Sequence, residues 1–313
     1  MRILLAGATG AIGQHLTPSL VASGHTVFGT TRTPTRVRDI EAAGATALLM
    51  DGLDAPSVNA AVEAAKPDVV IHELTALAHG MNTRTFDRDF AMTNRLRTQG
   101  TDNLLEAARR HGVTRFIAQS FTGWSNDRRG VGPADESTPL DEHPGREARA
   151  TLAAMRHLEA AVTGRTDLAG LVLRYGILYG PGTSITAHGG DIATMVRRRR
   201  FPVVGNGAGV WSFVHAADAA AATVAAVDRG EPGLYNVVDD APAPVAEWLP
   251  GLAAALGAKP PMHVPVWLAR PLIGEHGVIM MTRARGSSNA KARRDLAWTP
   301  RYPSWRVGFT DGL

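Results

Sequence analysis

Met1-Arg-Ile-Leu-Leu-Ala-Gly-Ala-Thr-Gly-Ala-Ile-Gly13 opens the chain, and the fold turns on how it is read. Ile3 to Ala6 is a short apolar run of the kind that forms a buried strand. Gly7, Gly10 and Gly13 follow at three-residue spacing, and Gln14 to Ala22 then carries apolar residues at helical intervals. Strand, glycine turn and helix in that order form the phosphate-binding opening of a dinucleotide fold. Gly7 permits the tight turn, Gly10 lets a pyrophosphate approach bare backbone, and Gly13 lets the helix pack close to the strand. The helix N-terminus adds free N–H groups and a partial positive charge. Gly7, Thr9, Gly10, Ala11, Ile12 and Gly13 are therefore the expected phosphate contacts. The competing reading is an ordinary strand–helix turn of a flavodoxin-like domain.

Moving outward, His25-Thr-Val-Phe-Gly29 is a second strand, and it runs into Thr30-Thr31-Arg32. An acidic residue here would bind the 2′-hydroxyl of NAD. Thr31 stands where the acid is expected, and Arg32 follows. A guanidinium suits a phosphate dianion, so the cofactor expected is NADP, with NADPH preferred over NADH. Ala45 to Met50 is a third strand ending at Asp51-Gly-Leu-Asp54, where Asp51 and Gly52 border the adenine and Asp54 is placed to cap the next helix. Asp68-Val-Val-Ile-His72 is apolar enough for a parallel strand buried on both faces. Leu74, Thr75 and Ala76, at its exit, lie along the cofactor, and His72 reads as a core histidine. Arg115 to Gln119 is a fifth strand, ending at Ser120. Phe121 to about Arg146 breaks the alternation as a loop over the site, Glu147 to Val162 is helical, and Leu171 to Tyr175 is a sixth strand whose last residue completes the cofactor set. Leu234 to Val238 returns to the sheet.

This alternation predicts an α/β protein: a Rossmann-type doubly wound parallel sheet with a smaller, discontinuous C-terminal substrate domain. The expected boundaries are 1–175 plus about 212–240 for the nucleotide domain, and 176–211 with 241–313 for the substrate domain. A chain of 313 residues, 44% hydrophobic and 20% charged, accommodates that organisation. It has no cysteine, which excludes disulfides, thiolate catalysis and cysteine metal ligands, and fits a cytoplasmic protein. No metal site is expected. No apolar run is long enough for a membrane span. The net charge is +4, carried almost wholly by arginine, and the one dense cluster, Arg197 to Arg200, reads as the solvated end of a helix rather than a nucleic-acid surface.

Several further stretches share one pattern: Pro67-Asp-Val-Val-Ile-His72, Leu104-Leu-Glu-Ala-Ala108, Leu173-Arg-Tyr-Gly-Ile-Leu-Tyr-Gly-Pro-Gly182, Phe213-Val-His-Ala-Ala-Asp218 and Leu234-Tyr-Asn-Val-Val238. With the glycine turn, they make the chain resemble the extended short-chain dehydrogenase/reductase family, the NAD-dependent epimerase/dehydratases, over nearly its whole length. The resemblance implies a nicotinamide cofactor in the N-terminal domain, a small-molecule substrate and a homodimer.

Two departures from the family pattern matter. The resemblance implies Tyr-x-x-x-Lys on the helix after the fifth-strand loop, with tyrosine as acid or base and lysine on the nicotinamide ribose. Aligned through Leu158-Glu159, those positions hold Thr151 and Met155. Four residues after Tyr175, Tyr179, Tyr235 and Tyr302 stand Tyr179, Thr183, Asp239 and Arg306, so the pair exists nowhere in the chain. Ser120, Thr151 and Tyr179 are the hydroxyls expected to replace it, and His143, His188 and Asp191 are loop residues of the substrate region able to move a proton. The second departure is Ile177, where sugar-nucleotide enzymes of the family place an asparagine. A less polar substrate is expected, with Ile177, His188, Asp191 and Trp211 around it. The function expected is an NADP-dependent oxidoreductase on a carbonyl/alcohol pair with a non-standard acid or base. The alternative is a non-redox isomerase, lyase or cyclase, or an NADP-binding sensor.

Overall fold

The computed structural model describes residues 1–77 and 82–313. Six strands build most of the main sheet: β1 (Arg2–Ala6), β2 (Thr26–Thr31), β3 (Thr46–Leu49), β4 (Val69–His72), β5 (Arg115–Phe121) and β6 (Ala169–Tyr175). The short strands β7 (Ile177–Tyr179), β8 (Val203–Val204), β9 (Val210–Trp211) and β10 (Phe213–His215) follow, and β11 (Gly233–Val237) returns to the sheet edge. The seven-stranded order is β11-β6-β5-β4-β1-β2-β3, parallel throughout. Chain order reverses beside β1, and the crevice above that switch point is where such sheets bind ligands.

Helices cover both faces, which is why the strands are apolar on both sides. Ile3 and Leu5 of β1 enter one core with α1 (Gly13–Ala22) and α9 (Ala216–Asp228). Leu4 and Ala6 enter the other with α3 (Ala55–Ala65), α6 (Thr101–Arg110) and α7 (Arg149–Thr163). Between them run α2 (Val37–Ala42), α4 (Phe86–Asp89) and α5 (Ala91–Arg95), and a π-helical turn, Leu96–Gly100, joins α5 to α6. A third core, built on Trp211, Phe213, Trp248 and Phe309, holds the substrate region. It draws on α8 (Asp191–Arg197), α10 (Val245–Ala255), α11 (Val266–Thr282) and α13 (Trp305–Asp311).

The C-terminal portion is more divided than the sequence boundaries implied. The helix α12 (Ala290–Asp295) and Trp298 pack into the nucleotide-domain core with Leu171 and Tyr235, so the chain crosses back before ending in α13. Arg197 to Arg200 form the exposed end of α8. Asp54 stands at the N-cap of α3, but its side chain makes no cap bond.

Candidate functional site

The glycine turn leaves β1 at the switch point. Gly7 has φ +103°, and a Cβ there would lie 2.7 Å from the Glu73 carbonyl oxygen. A Cβ on Gly13 would lie 2.3 Å from the Gly7 carbonyl, so both positions are closed to larger residues. Gly10 differs: the only neighbour a Cβ would meet within 4 Å is the Gly7 oxygen, at 3.3 Å, and the space beyond is open. The first turn of α1 has no side-chain cap, and Ile12 is buried in the core, leaving only its backbone to a ligand. An open cradle facing an uncapped helix N-terminus fits a dinucleotide pyrophosphate. Thr9 and Ala11 flank Gly10 and are half-buried.

At the far end of β2, Thr31 is buried and its Oγ1 accepts from the Thr33 N–H at 3.1 Å, shaping the turn that projects Arg32. Arg32 is exposed and has no hydrogen-bond or ion-pair partner among the described residues. Arg36, one turn further on, reaches back to the Thr9 carbonyl at 3.4 Å. Its other partner is Asp39, on the exposed side. Two guanidinium groups thus stand together at the exit of β2. Asp51 Oδ1 accepts from the Leu53 N–H, and a Cβ on Gly52 would strike the Leu74 side chain at 2.5 Å, which brings the β3 and β4 exits together. Thr75 is half-buried, and the Ala76 N–H donates to Thr93 Oγ1, pinning the β4 exit to α5.

His72 is fully buried: its Nδ1 accepts from the Leu74 N–H and its Nε2 lies 3.2 Å from Thr101 Oγ1. Burial holds its pKa at about 4, so the ring is neutral and structural. Tyr175, expected along the cofactor, is also buried. Its hydroxyl donates to Glu73 Oε1 at 2.9 Å and lies 2.7 Å from Thr223 Oγ1.

Two of the three hydroxyls expected at the chemistry are already hydrogen-bonded within the protein, and the third, on Tyr179, is buried without a partner among the described residues. Ser120 is 4% exposed and donates to Glu159 Oε1 at 2.8 Å. Glu159 in turn forms a two-pronged buried pair with Arg174, at 2.8 and 2.6 Å. β5 alternates its side chains, and Ser120 falls on the side facing α7. Thr151 is fully buried and donates to Asp87 Oδ1 at 2.7 Å while accepting from Asn94 Nδ2 at 3.1 Å. Asp87 also takes the N–H groups of Ala150 and Thr151, capping α7 from α4. The Thr151 proton is committed to that cap. Met155, at the lysine position, is fully buried. Tyr179 lies in the substrate-domain core, its ring edge-on to His215 and Phe309, and burial drives its pKa upward. Packing, the simpler reading of its Tyr-Gly-Pro turn, is what the structure gives it.

On the substrate side, Ile177 and Trp211 line one small cavity with Phe121, Thr122, Trp124 and Met280. The Trp211 Nε1–H donates to the Met280 carbonyl, so the indole offers its face rather than its donor. His188 is an exposed turn residue and is not among this cavity's lining, and Asp191 begins α8. His143 is likewise exposed, held at its backbone by Asp141 and Arg128. The described residues contain no cluster able to hold a metal, and no helix among them is long and apolar enough to cross a membrane.

Comparison with known proteins agrees with this geometry. The family model for the NAD dependent epimerase/dehydratase family matches residues 3–237. The chain belongs to that family. It is 44% identical to a 3-diazoavenalumate denitrifying reductase from a Streptomyces species, over 99% of each chain. It is 26% identical to a farnesyl-dihydroquinoline-oxide ketoreductase from Stigmatella aurantiaca, covering 96% of this chain and 92% of the relative. Among solved structures, a Thermus thermophilus UDP-glucose 4-epimerase in complex with NAD superposes with a TM-score of 0.74 at 26% identity, covering 99% of this chain and 97% of the other. A nucleotide-binding oxidoreductase acting on a small molecule is the class these similarities establish.

Measured against that family, the residues that sequence reading passed over are mostly polar groups with no local motif. Asp87 and Asn94 precede α7 by more than fifty residues, and only the fold brings them to Thr151. Arg36 was legible as a second arginine in Arg32-Thr-Pro-Thr-Arg36. Glu73 was quoted only as part of the β4 exit. It is 5% exposed, its Oε2 has no partner among the described residues, and burial raises its pKa to about 8. His276 of α11 lies 4.4 Å from Phe86 and 4.8 Å from Trp124, ring to ring, and burial lowers its pKa to about 4.

Proposed function

We propose that this protein is an NADPH-dependent reductase of a small aromatic acid, and that its substrate accepts hydride without a proton from a tyrosine–lysine pair. The observation that carries this reading is the fate of Thr151 and Met155. The family's acid position holds a hydroxyl whose proton is bound to Asp87, and the cation position holds a buried thioether. A ketone reduced in such a site would lose the 10²–10⁴-fold that a positioned acid contributes.

A diazonium group makes no such demand. It is already positively charged, and an aryl diazonium plus hydride gives the arene and dinitrogen, with a C–N bond broken, a C–H bond formed and no proton consumed. The relative at 44% identity is named for a diazo acid and for denitrification, which supports transfer of this chemistry to the present chain. When bound, the dinucleotide supplies the hydride. The chain's own part is to hold it at the glycine turn, to meet its 2′-phosphate with Arg32 and Arg36, and to present the apolar surface around Phe121, Trp124, Ile177 and Trp211 to the substrate. Orientation of that kind is itself a large catalytic contribution. The aromatic side chains Phe121, Trp124 and Trp211 gathered beside Ile177 support an aromatic acceptor over a sugar nucleotide.

The test is to supply a diazo aromatic acid and the matching aryl ketone separately with NADPH. NADPH oxidation with dinitrogen release from the first, and little turnover of the second, is the expected result. Rapid reduction of the ketone alone would restore the carbonyl/alcohol reading. Product formation without NADPH consumption would favour an isomerase, lyase or cyclase. Binding without any turnover would favour a sensor.

A further inference from the structure

We propose that Arg97 is the cationic anchor for the nicotinamide half of the dinucleotide, in place of the cation that Met155 does not supply. This rests on the reading that the cleft holds a nicotinamide dinucleotide, but not on the choice between NADP and NAD.

Arg97 sits in the π-helical turn Leu96–Gly100, between α5 and α6, and that turn packs against α7. The residue is 7% exposed, yet its Nε and Nη1 are buried with no partner among the described residues. Burial lowers its pKa to about 10, and attraction to Glu159 opposes that drop. Its backbone carbonyl accepts from Thr101 Oγ1, which also lies 3.2 Å from Nε2 of His72, at the end of β4. The turn carrying Arg97 is therefore tied to the end of β4 on one side and packed against the helix that carries Thr151 and Met155 on the other.

The local charge does not balance. Glu159 is the acid that acts on Arg97, and its two oxygens are already taken by Arg174 and Ser120. Two buried arginines share one carboxylate, His72 is neutral, and Glu73 is protonated below pH about 8. A buried guanidinium without hydrogen bonds is costly. A fold retains such a group where a ligand completes it. Its unpartnered donors are suited to the hydroxyl oxygens and the negative charge of a ribose phosphate. π-Helical turns occur disproportionately at functional sites, and here the turn presents this side chain.

The experiment compares wild type, Arg97→Met, Arg97→Lys and the double variant Arg97→Met with Met155→Lys. Each is titrated with NADPH and with NADH by nicotinamide fluorescence, and each apo protein is unfolded in urea. Losing charge-assisted hydrogen bonds of this kind is expected to weaken Arg97→Met about tenfold or more for both nucleotides alike. Apo stability should hold or rise, because an unpaired buried charge has gone. Arg97→Lys should fall between, and the double variant should recover part of the affinity. Nucleotide affinities of Arg97→Met within about twofold of wild type would overturn the proposal. If Arg97→Met does not fold, wild-type affinity in Arg97→Lys together with reduced apo stability would overturn it, and weakened affinity would support it. Failure of wild type to bind either nucleotide would instead overturn the dinucleotide reading, and with it this one. A loss confined to NADPH would assign the charge to the 2′-phosphate and also refute the placement.

Discussion

Replacing Glu73 with glutamine should change how stability depends on pH. Glu73 is 5% exposed, with Tyr175 donating to one carboxyl oxygen and nothing among the described residues partnering the other. Burial raises its pKa from 4.5 to about 8, an effect that the Tyr175 hydrogen bond offsets only in part. The sign follows from linkage. Between these two pH values the unfolded chain releases the proton and the folded chain keeps it. The carboxyl's contribution is therefore fully present below pH 4.5 and is lost as pH rises to about 8. At about 1.4 kcal/mol per pH unit, the loss across that window approaches 5 kcal/mol. Glu73→Gln keeps an acceptor for Tyr175 and cannot ionise, so it should overtake wild type progressively as pH rises. Urea unfolding of both apo proteins at pH 5, 6.5 and 8 reads the difference directly. Subtracting one curve from the other cancels the buried histidines His72 and His276, whose lowered pKa values act in the opposite direction, costing stability as pH falls toward 4. A gap between the proteins that stays constant over the window would refute the reasoning.

Other perturbations follow from the same geometry. Gly10→Val should fold, since a Cβ there meets only the Gly7 oxygen at 3.3 Å, yet lose nucleotide binding; Gly13→Ala, 2.3 Å from backbone, should instead unfold at much lower urea. Arg32→Ala combined with Arg36→Ala should weaken NADPH by about tenfold or more while leaving NADH unchanged, as expected when charge-assisted phosphate contacts are removed. Ser120→Ala should cost about 1–3 kcal/mol of stability by removing one hydrogen bond from the buried Glu159, which keeps its pair with Arg174, with turnover of the folded fraction nearly unaffected; a large fall in kcat at unchanged stability would return Ser120 to the chemistry. Thr151→Val should behave alike in thermal melts, since it strips the α7 cap of one donor to Asp87.

Much of the fold was legible because periodicity and glycine spacing report local geometry. All seven strands of the sheet were placed to within a few residues, and the glycine turn proved closed at Gly7 and Gly13 and open at Gly10, as its residues implied. Ile177 and Trp211 did meet at one cavity. Partners of the polar side chains were not legible, because a residue type shows what a side chain can do, whereas its partners show what it is free to do. Ser120, Thr151 and Tyr175 each spend their hydroxyl on a residue distant in sequence: Glu159, Asp87 and Glu73. For the same reason, Arg97 was indistinguishable in sequence from any surface arginine on an amphipathic helix, and only its burial without a partner sets it apart.

The central claim is that hydride passes from NADPH to an acceptor that needs no protein acid. The measurement that tests it most directly is isotope tracing with NADPH deuterated at the transferring position and a diazo aromatic acid as substrate. One deuterium on the ring carbon that carried the diazo group, with one dinitrogen released per NADPH oxidised, is the predicted result. Ring hydrogen drawn from solvent, or dinitrogen loss without NADPH oxidation, would contradict it.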